Sequence, residues 1–416
     1  MTLRRGKKTV KKDRRPLVKM SVATEAISRI VAAPVWSSQT IHGPAFVAAS
    51  ARDIDPDIWA NAWNQHAKGS RFNEVVEQGL SDQFDQRYFV LVNSRRDQVS
   101  IQTFFLIRQD LTAGLPKTVR NVVTRLRQRW GSLFFMRMLM VGSPAEESLL
   151  DCEEPWAVEA LRMALERYAR QARIGLVLLK DFPAEYRELL KNFTRQNYRR
   201  IPSLPGVKLE LDFSCFEEFM AKKLSKVYRK NLRRKFRALE SLPPVTFEVH
   251  NGCTPEQVDE IFPLYWEVYQ RAKLSFEVLN RGYLIRLGQS MPDRIRLFLW
   301  RQEGRLVAFN MGIVQDGVID DLYVGFDYEA AAKLNLYFLT WRDVIEWSVQ
   351  NGVKTYRSGP HNYDPKLHLK LSLVPRDLYA RHLSPILNRP LLLAMKWLGP
   401  TRYEPILKEF PNAHEL

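Results

Sequence analysis

The fourteen residues from Arg357 to Lys370 hold His361, Tyr363, Asp364, Lys366, His368 and Lys370, behind a Gly359-Pro360 break that ends any strand. Imidazole, phenol, carboxylate and ammonium groups crowded this closely suit proton transfer and the holding of a charged substrate. His361, Asp364 and His368 match no standard zinc spacing, so no metal is expected. Upstream, Asp320 and Asp321 fall on opposite faces of one candidate strand, because strand side chains alternate. Asp321 then shares a face with Tyr323, a pair able to hold an amine and take its proton. Ion pairing with a nearby arginine is the other role open to that carboxylate. Asn310 stands alone among Ala308, Phe309 and Met311, where it either orients a substrate or satisfies a neighbouring backbone group. Tyr265, Tyr269 and Arg271 follow at helical spacing and either wall the acceptor side or simply pack. Arg357 and His361 complete the substrate-facing set.

Such groups need rigid elements to aim them. Residues 296–300 read as a strand, Glu303-Gly304-Arg305 as its turn, and 306–314 and 318–325 as two more strands. After Gly325-Phe326-Asp327 a long amphipathic helix is expected over 330–350, closing on Asn351-Gly352 and leading into a short strand at 353–357. The first half repeats this order. Strands are expected at 46–49, 88–92, 99–108 and 133–141, a helix at 56–66, then a helix at 154–172 and a strand at 174–180. The Pro-rich 199–206 stretch marks a boundary with no long linker, so the halves should pack closely around a cleft. The expected division is a tail over 1–35, an N-terminal recognition or packing domain over 36–205, a catalytic domain over 206–385 and an extension over 386–416.

Four stretches together resemble a known family. They are Arg305-Leu-Val-Ala-Phe-Asn-Met-Gly312, Asp321-Leu-Tyr-Val-Gly-Phe-Asp327, Ser358-Gly-Pro-His-Asn-Tyr-Asp-Pro-Lys366 and the basic Ser225-Lys-Val-Tyr-Arg-Lys-Asn-Leu-Arg-Arg-Lys235. The sequence is similar to the GNAT-related acyltransferases of the cellulose-biosynthesis and FemAB-like group. That resemblance implies an α/β (α+β) acyl-CoA N-acyltransferase fold with two GNAT-like halves packed side by side. It implies acyl transfer from acyl-CoA, such as acetyl-CoA, to an amine on a small molecule or an envelope precursor. It places the CoA at the strand-to-helix junction, with Gly325, Phe326, Lys333, Leu334 and Asn335. Lys366 matches a lysine this group carries after its last core strand, which implies contact with a substrate carboxylate or phosphate; an exposed lysine is the alternative. Tyr363 would reprotonate the leaving thiolate. One departure matters: the Gly-rich phosphate loop is missing, and Asp327 and Glu329 would repel a pyrophosphate, with Lys333 offsetting part of that. Two further readings stay open. One is a FemAB-type transferase using aminoacyl-tRNA on a peptidoglycan precursor; the other is a non-catalytic module binding an anionic polymer or membrane.

Charge adds partners to consider. Of the net +17, +8 sits in residues 1–20, a polar tail expected to be disordered. A second basic stretch, from Lys117 to Arg137, has no acid between Asp110 and Glu146. The densest cluster is 222–237, with nine bases and no acid, where Leu224, Tyr228, Leu232 and Phe236 form one apolar stripe on a helix. This basic helix suits an anionic membrane surface, tRNA or the phosphates of CoA, or is simply a solvated face. The apolar run 390–398 is either a small core helix or an interfacial one. Three scattered cysteines build neither a zinc site nor a disulfide framework. No stretch has the length of a bilayer span, and the basic N-terminus lacks the apolar core of a signal peptide. A cytoplasmic protein is expected, with peripheral contact at the inner membrane face left open.

Overall fold

The computed structural model describes residues 30–110, 125, 135–272, 276–395 and 399–416. The expectations placed on residues 1–29 and on Lys117, Arg120, Arg127 and Arg129 lie outside the described residues. Residues 30–35, assigned to the tail, include a fully buried Val31 that bridges Ile54.

The first half runs β1 (Trp36–Gln39), β2 (Pro44–Ala48), α1 (Pro56–Asn61), α2 (Ser70–Gly79), β3 (Asp85–Asn93), β4 (Gln98–Asp110), β5 (Phe135–Val141), α3 (Pro155–Gln171), β6 (Leu176–Pro183), α4 (Lys191–Arg195) and β7 (Arg199–Pro202). The second begins with β8 (Gly206–Glu210), α5 (Phe216–Lys223), α6 (Lys226–Leu239), β9 (Val245–Asn251), α7 (Pro255–Arg271), α8 (Arg281–Ser290), β10 (Ile295–Gln302) and β11 (Arg305–Gln315). It continues through β12 (Val318–Phe326), α9 (Tyr328–Leu334), α10 (Leu336–Gln350), β13 (Thr355–Ser358), α11 (Tyr363–His368), β14 (Ser372–Val374), β15 (Arg376–His382) and α12 (Pro385–Met395).

Both halves contain an antiparallel run that ends in one parallel pair, β5 with β6 and β12 with β13, and in each the helical crossover joins the two parallel strands. The sheet orders are β1-β2-β3-β4-β5-β6-β15-β7 and β14-β8-β13-β12-β11-β10-β9. These orders expose one strand that changes sheet. β7 and β8 are consecutive in the chain but pair in different sheets, and so are β14 and β15. The second sheet is built wholly from the second half, whereas the first sheet is completed by β15, which inserts between β6 and β7, so separating the halves would break the first ladder. The boundary near residue 205 coincides with the change of sheet, while β15 returns to the first sheet.

Apolar faces of both sheets meet in one shared core. Phe105, Met138, Leu176 and Ala380 of the first sheet join Leu297, Phe309, Met311 and Tyr323 of the second, with α2, α7 and α8 supplying Val75, Ile261 and Leu284. On the outer faces, α3 covers the first sheet and α10 the second. Gly325 belongs to the shared core, because a Cβ there would overlap the Phe309 ring and lie 2.7 Å from the Leu264 backbone. Gly325→Ala is expected to cost about 1–3 kcal/mol of stability through overpacking; a urea midpoint equal to that of the native chain would contradict this.

Two expected helices are divided. Asn335 adopts φ +46 and parts α9 from α10, so the expected 330–350 helix is two. Asparagine enters the left-handed region more readily than most residues, and here its Oδ1 accepts from Lys235 Nζ at 3.0 Å. In the basic segment α5 ends at Lys223, and Ser225 caps α6 by accepting from Tyr228 N. The stripe survives, with Leu224 and Leu232 buried and Tyr228 and Phe236 packed on the same core. The run at 390–398 forms the end of α12, with Met395 buried and Leu393 exposed, and 396–398 lie outside the described residues. Among the described residues no helix is long and apolar enough to cross a membrane.

Candidate active site

Between β11 and β12, Met311 faces Tyr323 and Gly312 faces Asp321, so Leu322 is an extra residue in a β-bulge. The bulge inverts the alternation. Tyr323 turns into the shared core, its hydroxyl 2.9 Å from that of Tyr283, while Asp321 turns toward the α10 side. The expectation that the two share a face is thereby corrected. β12 pairs with β13 only from Val318 to Asp321, opposite Thr355 to Ser358, and then parts from it. Along residues 322–326 no described strand pairs with β12 on this side, so alternate backbone N–H groups face the opening.

Three elements converge on Asp321. From β11, Asn310 Nδ2 donates to its Oδ1 at 2.9 Å, and from β13 the Tyr356 hydroxyl donates to its Oδ2 at 2.5 Å. On α11, the buried Lys366 donates to the Gly359 carbonyl at 2.8 Å and acts electrostatically on the carboxylate. Burial lifts the Asp321 carboxyl to about 6, against the pull of Tyr356, Lys366 and Asn310 and with the push of Asp320. Burial also lowers the Lys366 ammonium to about 8, against the attraction of Asp321. Two groups with values displaced toward neutrality in one cleft are suited to acid-base work. Tyr356 was missed from sequence, although its place on the short parallel strand beside the aspartate-bearing strand was the available signal.

All four side chains line a cavity of about 1280 Å³ between the halves. Its walls include Phe309 and Leu322, which pack toward the shared core, and Val324, Trp341 and Val344 on the α10 side, so it passes through the opening between β12 and β13. Leu178, Ile201 and Leu378 of the first sheet close it from the other side, with Leu204 just beyond β7.

Other candidates take different places. Arg357 is not at the substrate face; it lies on the opposite side of the sheet, donating to both Glu147 oxygens at 2.7 and 2.9 Å. Tyr363 is buried and its hydroxyl donates to the Pro205 carbonyl at 2.7 Å, so it ties α11 to the boundary segment. Tyr265 accepts from Leu279 N at 3.0 Å, a packing role, whereas Arg271 lies over the Tyr328 ring on the cavity wall. His361 is exposed at the cavity rim with φ +75.

The junction expected to take CoA holds an anion of its own. Asp327 accepts from Glu329 N at 2.9 Å and Ala330 N at 3.3 Å, and is paired to Arg305. Phe326 lines the cavity, Lys333 is exposed, Leu334 is buried in the core, and Asn335 is the break described above. These residues do not fit a pyrophosphate at the start of α9, because a buried carboxylate already accepts from two of the free N–H groups there and would repel it. Asp327→Ala is expected to destabilise by about 1 kcal/mol through loss of this cap, read as a lower urea midpoint; an unchanged midpoint would contradict the capping role.

Residues 226–367 match the family model of the acetyltransferase (GNAT) domain. No curated protein sequence matches the chain. Among solved structures, FemX superposes with a TM-score of 0.52 at 10% identity, covering 81% of this chain and 96% of that one. L-PGS from Bacillus licheniformis gives 0.48 at 16% identity, covering 75% and 89%. The C-terminal domain of a putative lysylphosphatidylglycerol synthetase from Agrobacterium fabrum gives 0.49 at 11%, covering 81% and 95%. Bulge, split parallel pair and domain match coincide on one stretch of chain: residues 226–367 match the GNAT acetyltransferase domain model, within an acyl-CoA N-acyltransferase fold of two GNAT-like halves.

Proposed function

We propose that the protein transfers an acyl group from an activated ester to an amine, at the opening between β12 and β13. The observation that carries this is the Asn310–Asp321 pair. A carboxylate only accepts hydrogen bonds, so the Asn310 atom on Asp321 is the amide nitrogen. Asn310 Oδ1 is then left buried without a partner among the described residues, on a residue that lines the cavity. An amine N–H would satisfy it, and Asp321 beside it would take the second N–H and the proton. As the nitrogen attacks the ester carbonyl, the C–N bond forms and the oxyanion is held by strand N–H groups in the opening. Collapse breaks the bond to the leaving group, which takes its proton back from Asp321.

Acyl-CoA is the donor implied by the domain match. A second reading, an aminoacyl ester on tRNA, is favoured by the capped start of α9 and by the basic face of α6, where Lys226, Lys230, Arg233, Arg234 and Arg237 are exposed. Melting curves with CoA, acetyl-CoA, a long-chain acyl-CoA and charged tRNA separate the two. A ligand at about a hundred times its Kd stabilises by roughly 2.7 kcal/mol. A shift with acyl-CoA selects the first donor and a shift with charged tRNA alone selects the second. No shift with any of them would count against the transfer reading.

A further inference from the structure

The polar cluster occupies a small part of a cavity whose walls are mostly apolar. Leu178 on β6, Ile201 on β7, Leu204 just beyond it, Leu378 on β15 and Met395 on α12 form one continuous contribution to the wall. None of these residues belongs to the segment that carries the acid-base groups. Leu178, Ile201 and Met395 are each nine-tenths or more buried, so they are not a surface patch. A water-sized group takes roughly 30 Å³, so the three heavy atoms of an acetyl group need about 90 Å³ and a twelve-carbon chain about 360 Å³. The cavity of about 1280 Å³ accommodates the longer chain together with the reacting groups. A large apolar volume standing open to water is unfavourable, and the chemistry that relieves it is a hydrocarbon chain.

We infer that the first sheet and the segments packed on it build a chamber for a single unbranched hydrocarbon chain of about twelve carbons, whose reactive head lies at Asp321 and Asn310. Only the identity of the molecule carrying the chain, acyl donor or amine acceptor, rests on the proposed transfer. The chamber gives the sheet without acid-base groups a role in selecting substrate. Chain selection would come from Leu204 and Leu378, which close the chamber, and not from residues near the carboxylate.

The test uses the native full chain and non-reacting probes, measured by isothermal titration. Butyrate, octanoate and laurate probe an acyl chain; butylamine, octylamine and dodecylamine probe an acceptor chain. In one series the Kd is expected to tighten roughly fourfold per added methylene up to twelve carbons. Tightening in the acid series assigns the chain to the donor, and tightening in the amine series assigns it to the acceptor. Kd values that stay flat beyond four carbons in both series would overturn the inference. Leu378→Trp and Leu204→Trp should weaken the twelve-carbon probe at least tenfold and leave the four-carbon probe unchanged. Equal loss for both lengths in folded variants would also overturn it. Chain-length dependence in a native protein that forms no amide would remove the transfer reading and leave the chamber standing.

Discussion

Asp321→Asn is expected to lower kcat/KM for amide formation by roughly 10²- to 10⁴-fold, the usual contribution of a positioned base. The amide keeps the shape of the carboxylate and can still accept from Tyr356, so the loss measures the missing proton acceptor. Activity should rise with pH through about 6 as Asp321 ionises and fall through about 8 as Lys366 loses its proton, two limbs that belong to the pair. Lys366→Met should remove the alkaline limb. Stability should move the other way. The folded value of Asp321 lies above its unfolded one, so the folded state binds the proton more tightly. Its contribution is greatest below the unfolded value and is lost as pH rises through about 6. Asp321→Asn should therefore melt at or above the native temperature at pH 8. A loss of activity below tenfold, or a profile without the acid limb, would contradict the assignment.

The largest stability effect is expected at Glu147, where the halves meet. Its side chain is 2% exposed and lies between Arg357 of β13 and Arg376 of β15, at 2.7 and 3.0 Å. Around it Lys68 reaches Glu146 at 3.0 Å and Asp320 at 3.4 Å, and Arg357 reaches Asp320 at 3.3 Å. Three cations and three anions thus balance in a buried cluster that crosses between the sheets. Burial alone would raise the Glu147 carboxyl, but Arg376, Arg357 and Lys68 outweigh it and hold it at about 2. Glu147→Ala leaves the buried Arg376 guanidinium short of an anion and takes one of two from Arg357, at a cost of about 3–5 kcal/mol. That is a large share of the roughly 5–15 kcal/mol that holds a typical domain folded. Because the folded value lies below the unfolded one, the stabilisation is present above about 4.5 and is lost as pH falls toward 2. Urea unfolding at pH 7 measures the loss; a change under 1 kcal/mol would show the cluster to be dispensable.

Local patterns were readable where neighbours in sequence decide the outcome. The strands from 296 to 325, the crossover helix and the apolar stripe on α6 follow from residue spacing, and the structure has each of them near its expected place. The misses share one physical cause, which is that distant partners decide them. Nothing near Leu322 announces a bulge, and the bulge alone puts Asp321 and Tyr323 on opposite faces. Arg357 looked available to a substrate because its partner, Glu147, is 210 residues away. The crossing of β15 into the first sheet depends on long-range pairing that no local pattern encodes. The break at Asn335 combines a residue tolerant of left-handed backbone with a contact from Lys235, 100 residues upstream. Asn310 was visible as a polar residue on an apolar strand, but only the structure shows which of its two amide atoms is left without a partner.

The most direct test of the account is whether an amide is made. The native chain, Asn310→Ala and Asp321→Asn would each be incubated with acyl-CoA or charged tRNA and a mixture of primary amines, and the products read by mass spectrometry. The account predicts an N-acylated product from the native chain, strongly reduced by both substitutions while the folded state persists. Equal product from all three proteins, or product whose new bond is not to nitrogen, would contradict it.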